Sequence, residues 1–131
     1  MYISETLKRI DMATIKSYTD IEQSRKLAEI LPLESADMFY VAGKGEPIFI
    51  GNKMVAYGDD DYDALGGPDI LCWSLTALLG ALPEIQGGKP VIALDDNYIT
   101  YPHTSCLYTK ADSLVDACYK LILKLYKLKM L

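Results

Sequence analysis

The sequence predicts an α+β fold, a mainly antiparallel sheet of about five to six strands packed with two to three helices in the order α-β-β-β-α-β-β-β-α. Apolar residues recur at helical spacing in three stretches. Between them lie short segments rich in β-branched and aromatic residues, bounded by glycine and proline. Strands come in runs instead of alternating singly with helices, which argues against a parallel sheet. At 131 residues the chain has the length of one domain, spanning 1–131.

The elements follow in order. Ile3, Leu7 and Ile10 suggest a short first helix, with "TIKSY" (14–18) extended after it. In "TDIEQSRKLAEILP", Thr19 and Glu22 read as a capping box, Ile21, Leu27, Ala28 and Leu31 as an apolar stripe, and Pro32 as the stop, predicting a helix over 20–31. Segments 37–42, 47–50 and 53–57 read as a three-strand meander, the last two joined by a turn at Gly51-Asn52. Residues 58–69, with five aspartates and Gly-Gly-Pro, read as a loop. "CWSLTALLGALP" (72–83) reads as a central helix, apolar nearly all round, capped by Ser74 or Asp69 and stopped by Pro83. Three more strands, "KPVIAL", "NYITYP" and "TSCLYT", precede a final amphipathic helix. There Leu114, Val115, Ala117, Cys118, Leu121, Ile122 and Leu125 form the stripe, and Ser113 and Asp116 take the capping positions.

Charge narrows the partners. A net charge of -5 and only two arginines, Arg9 and Arg25, disfavour a DNA or RNA partner, since a phosphate backbone repels an acidic body. No apolar run is long enough for a membrane span and no basic start precedes one, so a cytoplasmic protein without a membrane partner is expected. Cys72, Cys106 and Cys118 are an odd set without paired spacing, which suits reduced thiols. Nothing in the sequence calls for a cofactor.

At "TDIEQSRKLAEILPLESADMFY", "CWSLTALLGALP" and "ADSLVDACYKLILKL" the chain resembles a family of small proteins encoded by bacteriophages and mobile elements of gut Bacteroidales, to which no activity is assigned. The resemblance implies a phage accessory protein made in the host cytoplasm. Small phage proteins of this kind include inhibitors of host defence, among them oligomeric sponges that hold cyclic nucleotide signals without cleaving them.

Three constellations bear on chemistry. "LCWSLTALL" followed by His103 resembles the layout of papain-like thiol hydrolases, a cysteine at a helix N-terminus with a histidine base on a later strand. It departs from that layout in having Trp73 where glycine or serine usually follows and in lacking an orienting third residue. His103 and Cys106, three apart, would point to opposite faces of a regular strand and without a bulge make no dyad, while Pro102 breaks that regularity and puts His103 near a sheet margin. In "DDDYD", Asp59, Asp61 and Asp63 alternate as in a calcium loop, but Ala64 and Ile70 stand where glycine and glutamate are needed, so no metal site is expected.

The unusual compositional fact is ten tyrosines against two phenylalanines. Tyrosine offers a flat apolar face with a polar tip, suited to stacking on a base or to an interface. Taken with what the phage-family resemblance implies, the expected function is non-enzymatic capture of a nucleotide-derived signal by a homo-oligomer. Tyr98, Tyr101, His103, Thr104, Tyr108, Trp73 and Ser74 would line the site, with Arg9 and Arg25 for phosphates. The alternatives are a protein–protein inhibitor or scaffold and the Cys72–His103 thiol hydrolase.

Overall fold

The computed structural model describes residues 16–51, 68–104 and 107–131. It is α+β, with three α-helices and six strands among the described residues, in two antiparallel sheets of three. The chain divides into two compact units. One is Tyr18–Pro83; the other is Glu84–Leu131 with, among the described residues, Lys16 and Ser17.

In the Tyr18–Pro83 unit, helix α1 spans Ile21–Ile30, strands β1, β2 and β3 span Met38–Tyr40, Ile48–Phe49 and Ile70–Cys72, and helix α2 spans Leu75–Ala81. The sheet order is β2-β1-β3, with Met38 opposite both Phe49 and Cys72. The third strand therefore comes from 70–72, within the stretch expected to be loop and helix start. The expected strand over 53–57, the turn residue Asn52 and most of the acidic loop lie outside the described residues.

Three local readings need correction. The capping box of α1 is formed by Asp20 and Gln23: Asp20 Oδ1 accepts the Gln23 N–H at 2.8 Å and Gln23 Oε1 accepts the Asp20 N–H at 3.1 Å. Thr19 is unavailable for capping because its buried hydroxyl serves the end of β3. Strand β1 stops at Tyr40, where Val41–Gly43 tightens into a 3₁₀ turn with Ala42 at φ 53° and Gly43 at φ 68°. The buried Asp69 carboxylate accepts the Ala42 N–H at 2.8 Å, and a Cβ on Gly43 would stand 3.1 Å from Ile70 Cδ1. Finally, α2 is one-sided: Leu78 and the following Leu82 are buried, whereas Thr76 and Gly80 are exposed.

Thr19 ties this unit together. Its N–H donates to the Trp73 carbonyl at 3.0 Å and its Oγ1 accepts the Trp73 N–H at 3.1 Å, continuing the antiparallel bridge of Tyr18 with Ser74. Its carbonyl accepts the Tyr40 hydroxyl at 2.6 Å and the Cys72 thiol at 3.3 Å. Ser24 Oγ lies 2.8 Å from Thr19 Oγ1, and Thr19 Oγ1 donates to Cys72 Sγ at 3.6 Å. Proton counting closes when Ser24 donates to Thr19, Thr19 to the thiol, and the thiol to the Thr19 carbonyl. One residue thus joins α1, β1 and β3. Nearby, Asp37 receives both the Ser74 N–H at 2.9 Å and the Ser74 hydroxyl, while Ser74 Oγ caps α2 by accepting the Ala77 N–H at 3.1 Å.

In the other unit, β4 (Val91–Ala93), β5 (Tyr98–Thr100) and β6 (Tyr108–Lys110) pair in chain order and precede helix α3 (Leu114–Lys127). The seven apolar residues expected to line the final helix are its buried residues, and Ser113 caps it by accepting the Asp116 N–H at 3.0 Å. α3 packs on β5 and β6, with the Thr109 hydroxyl donating to the Ala117 carbonyl. The six strands thus make two ladders, a correction to the single sheet expected from sequence. Pro83 follows α2 directly, and Ile85 and Gly88 then close a tight turn through Gln86 (φ 53°) and Gly87 (φ 77°) before β4 begins.

Thr19→Val should cost about 2–3 kcal/mol, because it orphans the buried Trp73 N–H and Ser24 hydroxyl. Thr19→Ser should restore most of that loss. Urea denaturation of the three proteins measures both.

Candidate functional site

The structure separates the tyrosines by strand alternation. Tyr98 and Thr100 of β5 share a face, while Ile99 and the following Tyr101 turn the other way and are 0% and 1% exposed. Register then sets Tyr98 opposite Lys110 and Thr100 opposite Tyr108. Tyr98, Thr100, Tyr108 and Lys110 consequently form one block on the sheet face opposite Ile99 and Thr109.

Within this block the Tyr98 and Tyr108 rings lie 5.6 Å apart between centroids, tilted by 34°. Tyr108 is 49% exposed, and the Lys124 ammonium stands 5.6 Å from its ring centroid. β6 is the edge of the ladder, so a side chain from α3 can reach the Tyr108 ring. The arrangement joins aromatic faces to the Lys124 ammonium, with Lys110 opposite Tyr98 in register.

The remaining expected residues are placed as follows. His103 is exposed in the turn Pro102–His103 after β5, its ring beside Gly88, where a Cβ on that glycine would stand 3.0 Å from His103 Cδ2. Thr104 is half-buried in the same turn and donates its N–H to the Tyr101 carbonyl at 3.1 Å. Tyr101 belongs to the interior, and burial pushes its hydroxyl up to about 12. Trp73 is fully buried, its indole N–H donating to Ser35 Oγ at 2.9 Å, and Ser74 is buried as the α2 cap. Arg25 is exposed on α1 in the Tyr18–Pro83 unit. Arg9 and Cys106 lie outside the described residues, as do Asp59, Asp61 and Asp63. The structure therefore brings Tyr98 and Tyr108 together and assigns Tyr101, Trp73 and Ser74 to the fold. Sequence reading missed Lys110 and Lys124 as companions of the tyrosines; the four- and three-residue steps of Lys120, Lys124 and Lys127, which place them on one helix face, read most simply as a solvated side.

The thiols are interior groups. Cys72 ends strand β3 two residues before the α2 cap, a correction to its expected place at a helix N-terminus, so no helix dipole favours its thiolate. Burial raises the Cys72 thiol above its ordinary value, outweighing the hydrogen bonds with Thr19, Ser24 and Tyr40 that favour the anion. Burial also pushes Cys118 up to about 12. Among the described residues no cluster of histidine, cysteine and carboxylate side chains fits a metal ion, and no helix is long and apolar enough to cross a membrane.

Native protein treated with iodoacetamide at neutral pH should remain unmodified at Cys72 and Cys118 while denatured protein reacts at both, as peptide mapping would show. The folded chain keeps these thiol protons when the unfolded chain has released its own near pH ~8.5. Stability should therefore be fully present below that pH and fall as pH rises toward about 12. Cys118 contributes a slope of about 1.4 kcal/mol per pH unit in that window, and the raised Cys72 thiol adds to the fall at its lower end, which denaturant midpoints measured against pH would reveal. Comparison with family models, curated proteins and solved structures returns no match, so the functional reading rests on these residues and their geometry.

Proposed function

We propose that this chain is a non-enzymatic binding protein that captures a nucleotide-derived small molecule on the tyrosine face of the β4-β5-β6 sheet. The observation that carries the reading is the Tyr98–Tyr108 pair, half-buried and exposed respectively, with Lys124 beside the Tyr108 ring and Lys110 opposite Tyr98 in register. A nucleotide has a flat π-system and an anionic group, and this block offers a partner for each: ring faces for the base, ammonium groups for the phosphate. His103, exposed at the end of β5, supplies a further polar contact.

An open sheet face covers a ligand from one side only, whereas small-molecule sites enclose most of their ligand. The reading therefore includes a second copy of the chain to close the site. In the phage setting implied by the family resemblance, such a site sequesters a host defence signal without converting it.

One observation favours the alternative of a protein–protein inhibitor. Ile48, Phe49 and Ile50 are consecutive and exposed, Phe49 by 66%, at strand β2, which among the described residues is an end member of its ladder. Such an apolar edge suits docking by a protein.

Calorimetric titration with a panel of cyclic mono-, di- and trinucleotides tests the first reading. At least one should bind, and Tyr108→Ala should weaken it by about tenfold or more without lowering the melting temperature. Absence of heat across the panel, together with recovery of a host protein whose capture is abolished by Phe49→Asp, would favour the inhibitor.

A further inference from the structure

The outward face of the β4-β5-β6 sheet is small and open. Register and alternation set Val91, Thr100 and Tyr108 in one row across it and Ala93, Tyr98 and Lys110 in the next. α3 packs on the opposite face, where Ile99 is buried, while Val91 and Tyr108 remain 54% and 49% exposed on this one.

Two bare copies of this face do not hold together. A stable protein interface engages roughly 20–30 residues on each side, far more than these two rows supply. Charge also opposes the contact. Each chain carries a net charge of -5, and in a two-fold contact the face meets its own copy, so Lys110 and the Lys124 beside Tyr108 meet the same lysines. Stacked sheets lie about 10 Å apart, close to the Debye length of about 8 Å at physiological salt, so this repulsion is only partly screened.

A ligand between the faces reverses that balance. Its phosphates neutralise lysines of both copies, and its bases add stacking area that the two rows lack. A two-fold contact presents every feature twice: two Tyr98–Tyr108 pairs, two Lys110 and two Lys124 side chains. A molecule with two bases and two phosphates related by its own two-fold axis meets each set once. A mononucleotide leaves one set of lysines uncompensated, and three equal parts of a cyclic trinucleotide do not match a two-fold axis. We propose that the ligand is a two-fold symmetric cyclic dinucleotide and that it bridges two copies of this face, the chain pairing there only when the ligand is bound. This inference rests on the nucleotide reading of the same site.

Sedimentation velocity of the full chain, paired with calorimetry, provides the test, using the cyclic dinucleotides of adenine, guanine, cytosine and uracil. The free chain should sediment as a monomer at micromolar concentration. At least one dinucleotide should convert it to a dimer holding one ligand per two chains, and the cyclic mononucleotide of the same base should bind at least about tenfold more weakly and leave the monomer. Lys110 is exposed, so Lys110→Gln should fold normally yet weaken the bridged dimer by about tenfold or more, because the site loses a charge from each copy. One ligand per chain, in a monomer or a dimer, would overturn the bridge while leaving nucleotide binding intact. A dimer equally stable without ligand, or undiminished bridging by folded Lys110→Gln, would overturn it too. Failure of every nucleotide to bind would overturn both the bridge and the reading beneath it.

Discussion

The Tyr18–Pro83 unit depends on one buried side chain meeting one strand end. Thr19 exchanges hydrogen bonds with both backbone groups of Trp73, and its carbonyl takes protons from Tyr40 and Cys72. Few alternatives satisfy these groups. A buried N–H or hydroxyl without a partner costs about 1–3 kcal/mol, and Thr19 removes several such costs in one place. Among the described residues no buried side-chain nitrogen or oxygen is left unpaired.

This constraint bears on function by allotting residues to roles. Cys72 and Tyr40, both reactive types, spend their protons on the Thr19 carbonyl. Trp73 and Ser74, attractive as ligand contacts by type, are occupied in holding α2 and the short turn at Ser35. The proposed recognition surface is built instead from the outward tyrosines of β5 and β6 with Lys110 and Lys124.

Sequence legibility followed how local the determining physics was. The buried stripe and the cap of the final helix were readable to the residue because both depend on spacing within one segment, whereas its end at Lys127 carried no such signal. The β4–β5 hairpin was readable from its turn-forming residues Asp95, Asp96 and Asn97, and the Tyr98–Tyr108 pairing followed strand alternation once register was known. Thr19 was misread because a threonine before a helix is ordinarily a cap, and only the distant end of β3 reassigns it, leaving the cap to Asp20. Cys72 was misread for a related reason: Leu71, Cys72 and Trp73 continue the apolar run of α2, and periodicity cannot divide such a run between strand and helix. The split into two sheets depends on long-range pairing, which local patterns do not encode. Lys124 as a neighbour of Tyr108 likewise needed the packing of α3 on the sheet.

The clasp between Thr19 and the end of β3 is tested most directly by native-state amide hydrogen exchange at Thr19 and Trp73. Both amides should exchange only with global opening of their unit, at the free energy of Phe39 and Leu71 in the centre of the sheet. Exchange of Trp73 at the rate of an exposed loop amide, with Phe39 and Leu71 still protected, would contradict the clasp and with it the role of Thr19 as the residue that holds α1, β1 and β3 together.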